Sequence, residues 1–289
     1  MFAGPALVVY VTFVFFPVVL AAYYSVFNWN GYGPIERFVG FENYSRVLGD
    51  PVFHGAVQNN VIIIIASLLI QGPLALAVAL LLNRKIPGRT AIRLLIFVPY
   101  VLSEVIAGLA WRLILQPHGP LDGVMEFLGL SGLRQLWLAD PSIAIWTLFG
   151  VLTWKYLGLA IILLLAGLQG VPEELGEAAS IDGASWWQTQ RHITIPLLGP
   201  TLRIWAFLSI IGSLQLFDMV WILTGGGPVN STHTMASYMV LYGLNRGQVG
   251  FGSAVAVVLF VFSLVIALLY QRFALRRDLA GSITSGGDR

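Results

Sequence analysis

The sequence predicts an all-α membrane protein with six transmembrane helices. Three observations carry this. Charged residues make up 10% of the 289-residue chain and hydrophobic ones 57%, with a mean hydropathy of +0.80, whereas soluble domains carry about 25% charged residues. Six apolar runs are each long enough to cross a hydrocarbon core of about 30 Å. Basic residues also gather in alternate connections, as an inserted helical bundle requires.

The elements follow in order. The first span, 2–27, begins at once, lacks a basic leader region and runs too long for a signal core, so no cleavable signal peptide is expected. Its outer loop, "NWNGYGPIERFVGFENY", is built of turn formers and reads as water-facing. In the second span, 56–82, Gly72-Pro73 predicts a kink. A basic connection (Arg84, Lys85, Arg89, Arg93) leads to the third span, 92–115, where Pro99 predicts another kink. The fourth span, 143–168, carries "WKY" at Trp154, Lys155 and Tyr156. A polar stretch, 171–198, precedes the fifth span, 201–223. A glycine-rich outer loop, "LTGGGPVNSTHT", follows, then the sixth span, 251–273, and a short tail, 274–289.

Orientation follows from charge. Arg84, Lys85, Arg89, Arg93, Arg191, Arg203, Arg272, Arg276, Arg277 and Arg289 fall on one side, against Arg37, Arg46, Arg134 and Arg246 on the other. The richer side is expected to be cytoplasmic, with both termini and the 171–198 stretch. The chain reads as a single membrane domain over 1–289, its core at about 56–273. Without cysteines there is no disulfide or thiolate metal site, and His54, His118, His192 and His233 show no ligand spacing. No metal, no catalytic residue and no nucleic-acid partner are expected.

The 171–198 stretch stands out. Glu173 and Glu174 suit the first turn of a helix opening at Pro172. Gly183 permits a left-handed bend, Ser185 can cap a second helix, and Pro196 and Pro200 are expected to end it. Four carboxylates face one arginine, a net of −3 that invites a basic cleft; the alternative is a solvated loop on the headgroups. Paired Ala178 and Ala179 offer a close-approach face.

Ionisable groups inside spans are functional candidates because lipid penalises them. Glu104 and Lys155 fall near mid-membrane and are expected to be close in depth and able to pair; Arg112 and Asp218 fall near the outer surface and either pair or snorkel. A sugar site needs hydrogen-bonding groups and aromatic faces. Trp154, Lys155, Tyr156, Ser209, Ser213, Gln215 and Asp218 form the candidate set. Interhelical packing is the alternative for the serines, and core or interfacial packing for the tryptophans.

"EAASIDGA", nine residues, then "ITIP" resembles the EAA signature of ABC importer permeases. The match rests on Glu177, Ala178, Ala179, Gly183, Ile193 and Pro196, with Ile195 where leucine is usual. Together with "FVGFENY", "IFVPY" and "LTGGGP", the chain is similar over nearly its whole length to the MalF-like subunits of carbohydrate importers. The resemblance implies the type I importer permease fold in a bacterial or archaeal cytoplasmic membrane. It implies that Glu177, Ala178, Ala179, Asp182, Gly183, Ile193 and Pro196 couple to an ATPase, with Glu177 facing a basic residue. It implies a second homologous permease, two ATPase subunits, an extracytoplasmic binding protein and a di- or oligosaccharide cargo. No G-x-x-x-x-G-K-[ST] occurs, so ATP and its magnesium are expected on the partner and no cofactor on this chain. Other cargo (glycerol phosphate, a polyamine) and a secondary transporter remain as alternatives; the last would call for inverted repeats and coupling-ion carboxylates.

Overall fold

The computed structural model describes residues 4–84 and 87–275. Lys85, the first residues of the first span and tail residues 276–289 lie outside them. The described chain is helical; its only extended pairing among the described residues is a single bridge between Phe27 and Phe38. Four helices are long and apolar enough to cross a membrane: α1 (Gly4–Tyr24), α3 (Pro51–Asn83), α7 (Ala144–Leu168) and α13 (Val249–Ala274). Two bent pairs supply the remaining candidate spans. They are α4 (Arg89–Val101) with α5 (Glu104–Ile114), bent by 96°, and α9 (Trp186–Leu197) with α10 (Gly199–Leu214), bent by 66°. Shorter helices are α2 (Glu42–Gly49), α6 (Pro120–Phe127), α8 (Glu173–Ile181), α11 (Asp218–Leu223) and α12 (Met235–Leu244).

Prolines shape these helices in two ways. Each of the π-helical segments Val11–Phe15, Ser67–Gln71 and Gln190–Thr194 ends two residues before a proline: Pro17, Pro73 and Pro196. A proline ring collides with the carbonyl four residues back and offers no N–H; a widened turn at that point relieves both problems. So Gly72-Pro73 does not break the second span, which continues as one 33-residue helix. Pro196 likewise sits in the last turn of α9, which ends at Leu197, between Pro196 and Pro200 as expected, and the bend falls at Leu198. Pro99 behaves differently. The helix runs two residues past it, Leu102 turns extended (φ −62°, ψ 142°), and Ser103 caps the next segment, its Oγ accepting from the Ile106 N–H at 3.2 Å. The third span, expected as one kinked helix, is therefore two helices at nearly a right angle. The fifth is also divided: α10 stops at Leu214 and α11 restarts at Asp218.

Two compact units interleave along the chain. One takes residues 1–62, 114–145 and 214–265; the other takes 63–113, 146–213 and 266–289. In the first, the glycine-rich loop keeps its water-facing reading at Gly225, Val229 and Asn230, which are exposed, and departs from it beyond Ser231. Thr232, His233, Thr234 and all of Met235–Tyr238 are buried. Asn59 Nδ2 donates to the carbonyls of Ser231 (2.8 Å) and His233 (2.9 Å), and Asn60 Oδ1 accepts from the Met235 N–H at 2.9 Å. Backbone groups with no water to meet are paired by side chains instead. Asn43 does the same for the chain just past the end of α1, donating to the carbonyls of Ser25 and Phe27.

The second unit has an apolar core of Ala75, Ala79, Ile161, Leu164, Leu198 and Trp205 among others. Glycines set its helix spacing. A Cβ on Gly72 would lie 2.5 Å from the Trp205 ring, and one on Gly158 would lie 2.3 Å from the Ile96 carbonyl oxygen. Helix α7 thus crosses α4 backbone to backbone, as small residues allow in membrane bundles.

Candidate functional site

The 171–198 stretch folds as helix, bend, helix. Pro172 takes the position before the first helical residue, and α8 opens with Glu173 and Glu174. Its end is a Schellman motif: the Ala184 N–H reaches the Ala179 carbonyl (2.9 Å) and the Gly183 N–H reaches that of Ser180 (3.1 Å), with Gly183 at φ +80°. That geometry needs a left-handed residue, which glycine adopts without a Cβ penalty. Ser185 then opens α9 through a capping box with Gln188. A cleft of 340 Å³ lies in the bend, lined by Asp182, Gly183, Ala184, Gln188, Thr189, His192 and Ile193.

This local folding divides the alanine pair. Ala179 is buried in the bend, while Ala178 and Glu177 are exposed, so only Ala178 of the pair is on an open face. Asp182 and Pro196 are also exposed and Ile193 is half-buried. Ile181 is 87% exposed and Trp187 60%; the sequence singles out Trp186 and Trp187 as either gripping a partner or anchoring the loop to the membrane surface, while Ile181 is the apolar residue it does not single out. The Arg84 guanidinium lies 5.4 Å from the Trp186 ring.

Inside the second unit, Lys155 is 2% exposed. Its Nζ donates to the carbonyls of Pro99 (3.2 Å), Tyr100 (3.3 Å) and Leu102, the end of α4, and lies 3.6 Å from Glu104 Oε1. The Tyr156 hydroxyl donates to the same Glu104 oxygen at 2.8 Å. The expected pairing of Glu104 with Lys155 is present. Glu104 Oε2 is buried and has no hydrogen-bond partner. Trp154 packs edge-on against Trp111 at 5.4 Å.

Ser209 and Ser213 join a second polar chain. Ser209 Oγ lies 2.7 Å from Ser67 Oγ, which donates to Gln71 Oε1 at 2.6 Å. Ser213 Oγ donates back to the Ser209 carbonyl at 2.8 Å. Gln215 and Asp218 are exposed at the break between α10 and α11, with Asp218 in the first turn of α11, where its charge suits the helix dipole. They belong to the other compact unit, as Asp218 does relative to Arg112, so an Arg112–Asp218 pair is not among the contacts within either unit. The sequence reading missed Ser67 and Gln71. Their signal was present: two polar side chains one helical turn apart in an apolar run, in line with Ser209 as a partner.

Helices broken inside spans, buried polar groups and an exposed helical loop together define a transport protein's membrane subunit. The chain belongs to the family described as binding-protein-dependent transport system inner membrane component, whose profile matches residues 71–278. Among its relatives, the trehalose/maltose transport system permease MalF of Thermococcus litoralis is 34% identical, covering 95% of this chain and 92% of that protein. The lactose transport permease LacF of Rhizobium radiobacter is 33% identical, covering 93% and 90%. In fold it matches a chain of a bacterial ABC transporter that imports the polysaccharide alginate, with a TM-score of 0.83 at 22% identity, covering 94% and 93%. This chain is an ABC transporter permease subunit.

Proposed function

We propose that the chain forms one half of the translocation path of an ATP-driven importer for a carbohydrate, in the di- to oligosaccharide range. It would sit in a bacterial or archaeal cytoplasmic membrane with both termini inside. A homologous second permease, two ATPase subunits and an extracytoplasmic binding protein complete the machine. The chain itself does no covalent chemistry; ATP and magnesium stay on the ATPases.

The observation that carries this is the exposed, doubly capped 173–197 loop. A Schellman bend and a capping box hold its two helices rigidly, so force applied at Glu177, Ala178 and Ile181 is passed on without the loop deforming. Its four carboxylates complement a basic cleft. Closure of the ATPases would swing this loop and turn the attached spans from inward-open to outward-open. The cargo reading is supported by relatives whose names give trehalose/maltose and lactose and diacetylchitobiose. The polar groups of the second unit suit sugar: Trp154 and Tyr156 offer aromatic faces, Ser209 and Ser213 offer hydroxyls, and the orphaned Glu104 oxygen wants a hydroxyl.

Phosphate cargo is disfavoured because the deep cation Lys155 already spends its N–H groups on protein oxygens. A secondary transporter is disfavoured because the family works with a binding protein. The test is reconstitution of the whole complex in vesicles. ATP hydrolysis should rise only with a sugar-loaded binding protein; stimulation by a polyamine- or phosphate-ester-loaded protein in its place would move the cargo assignment.

A further inference from the structure

We propose that Lys155 is the positioning residue that holds the two halves of the third span at their bend, a role separate from gripping cargo. The last carbonyls of any helix lack intrahelical partners, and in a membrane no water replaces them. At the end of α4, the carbonyls of Pro99, Tyr100 and Leu102 all accept from one ammonium. A cation is favourable there because it faces the negative end of the helix dipole. The same ammonium lies beside the start of α5, where a cation is unfavourable, and Glu104 in the first turn of α5 offsets it at 3.6 Å.

Tyr156, the next residue on α7, completes the clasp. Its hydroxyl holds Glu104 from the other side at 2.8 Å, and its ring stands edge-on to Tyr100 at 6.3 Å. Two consecutive residues of one continuous helix therefore hold both arms of a 96° bend. The ammonium offers three N–H groups to four oxygens, so none is left for a sugar. Gly158, one turn further along α7, lets α4 come close enough for Lys155 to reach. The geometry stands alone; its consequence for transport rests on the importer reading.

The absence of cysteine makes the test direct. Spin labels at Leu95→Cys and Leu109→Cys, both exposed on the two arms, report the bend by pulsed distance measurement in the assembled complex. Labels at Leu81→Cys and Ile204→Cys report the same unit away from it. Lys155→Met should turn one narrow arm-to-arm distance into a broad, shifted distribution while the control pair stays unchanged, and Lys155→Arg should partly restore it. An unchanged arm distance overturns the proposal, and so does equal broadening of both pairs. If Lys155→Met is not recovered from membranes, Glu104→Gln with Tyr156→Phe removes the α5 side of the clasp; an unbroadened distance there also overturns it. In sugar uptake, Lys155→Met should lower the maximal rate many-fold with KM little changed, whereas a cargo ligand would raise KM. Sugar uptake failing in the parent complex would sink the importer reading and leave the distance result standing.

Discussion

Gly158→Ala is a one-methyl change with a defined obstacle. The added Cβ would lie 2.3 Å from the Ile96 carbonyl oxygen and 3.1 Å from the Phe97 Cα, both backbone, and ordinary contact begins at 3.4 Å. The helices must part by 3.4 − 2.3, about 1 Å, because neither atom can rotate away. Overpacking of this kind costs about 1–3 kcal/mol. Alanine regains about 0.8–1 kcal/mol of helix propensity, so the net loss should be about 0–2 kcal/mol, toward the upper end because both obstructing atoms are backbone. Gly150 on the same helix has nothing within 4 Å of an added Cβ, and Gly150→Ala should gain up to about 1 kcal/mol. Thermal unfolding of the purified complex in detergent reads both: Tm should fall by a few degrees for Gly158→Ala and hold or rise for Gly150→Ala. Equal shifts would refute close backbone crossing as the reason for Gly158. Parting the helices also draws the Pro99–Leu102 carbonyls from Lys155, so Gly158→Ala and Lys155→Met should be less than additive.

Further outcomes are expected. On the proposed docking to a basic ATPase cleft, Glu177→Lys introduces a like charge and should weaken capture of the ATPase from the assembled importer by more than tenfold, about 2 kcal/mol. Ser185→Ala removes the α9 capping box and should cost about 1 kcal/mol locally, seen as faster hydrogen exchange at 186–189 with 251–265 unchanged. His233, buried against Gly226 and Ser237 in the glycine-rich loop, has its pKa held below 6.5 by burial. The folded loop then binds fewer protons than the unfolded chain, so its stability is complete above pH 6.5 and is lost as pH falls through the lower folded value. Protease nicking at 224–231 should rise with acidification, and His233→Gln should flatten that dependence.

The membrane class, the six apolar regions and the helix–bend–helix loop could be read from sequence because each rests on local pattern. Apolar length marks spans, and Glu177 to Pro196 carries its spacing in the chain itself. The bend at Gly183 and the cap at Ser185 needed only local turn chemistry. Less legible were how each proline is accommodated and which polar groups meet beyond the expected Glu104–Lys155 pair. Gly72-Pro73 and Pro99 look alike as kink signals, yet one is absorbed by a π-helical turn and the other precedes a 96° break. The difference lies in Ser103 and Glu104, a cap and an acid that start a new helix, and in Lys155, 51 residues beyond Glu104, which satisfies the old one. Ser67 and Gln71 find Ser209 only once the helices pack. The glycine-rich loop reads as water-facing by composition, and its 225–230 stretch is largely open, but Asn59 and Asn60 supply bonds that let its end at 232–235 be buried.

The most direct test is energetic. The complete importer is sealed into vesicles with the sugar-loaded binding protein outside and ATP inside. Sugar should accumulate with ATP and without any ion gradient, and Glu177→Lys should abolish accumulation while the ATPases keep their basal hydrolysis. Uptake driven by an ion gradient in vesicles free of ATP would contradict an ATP-coupled permease.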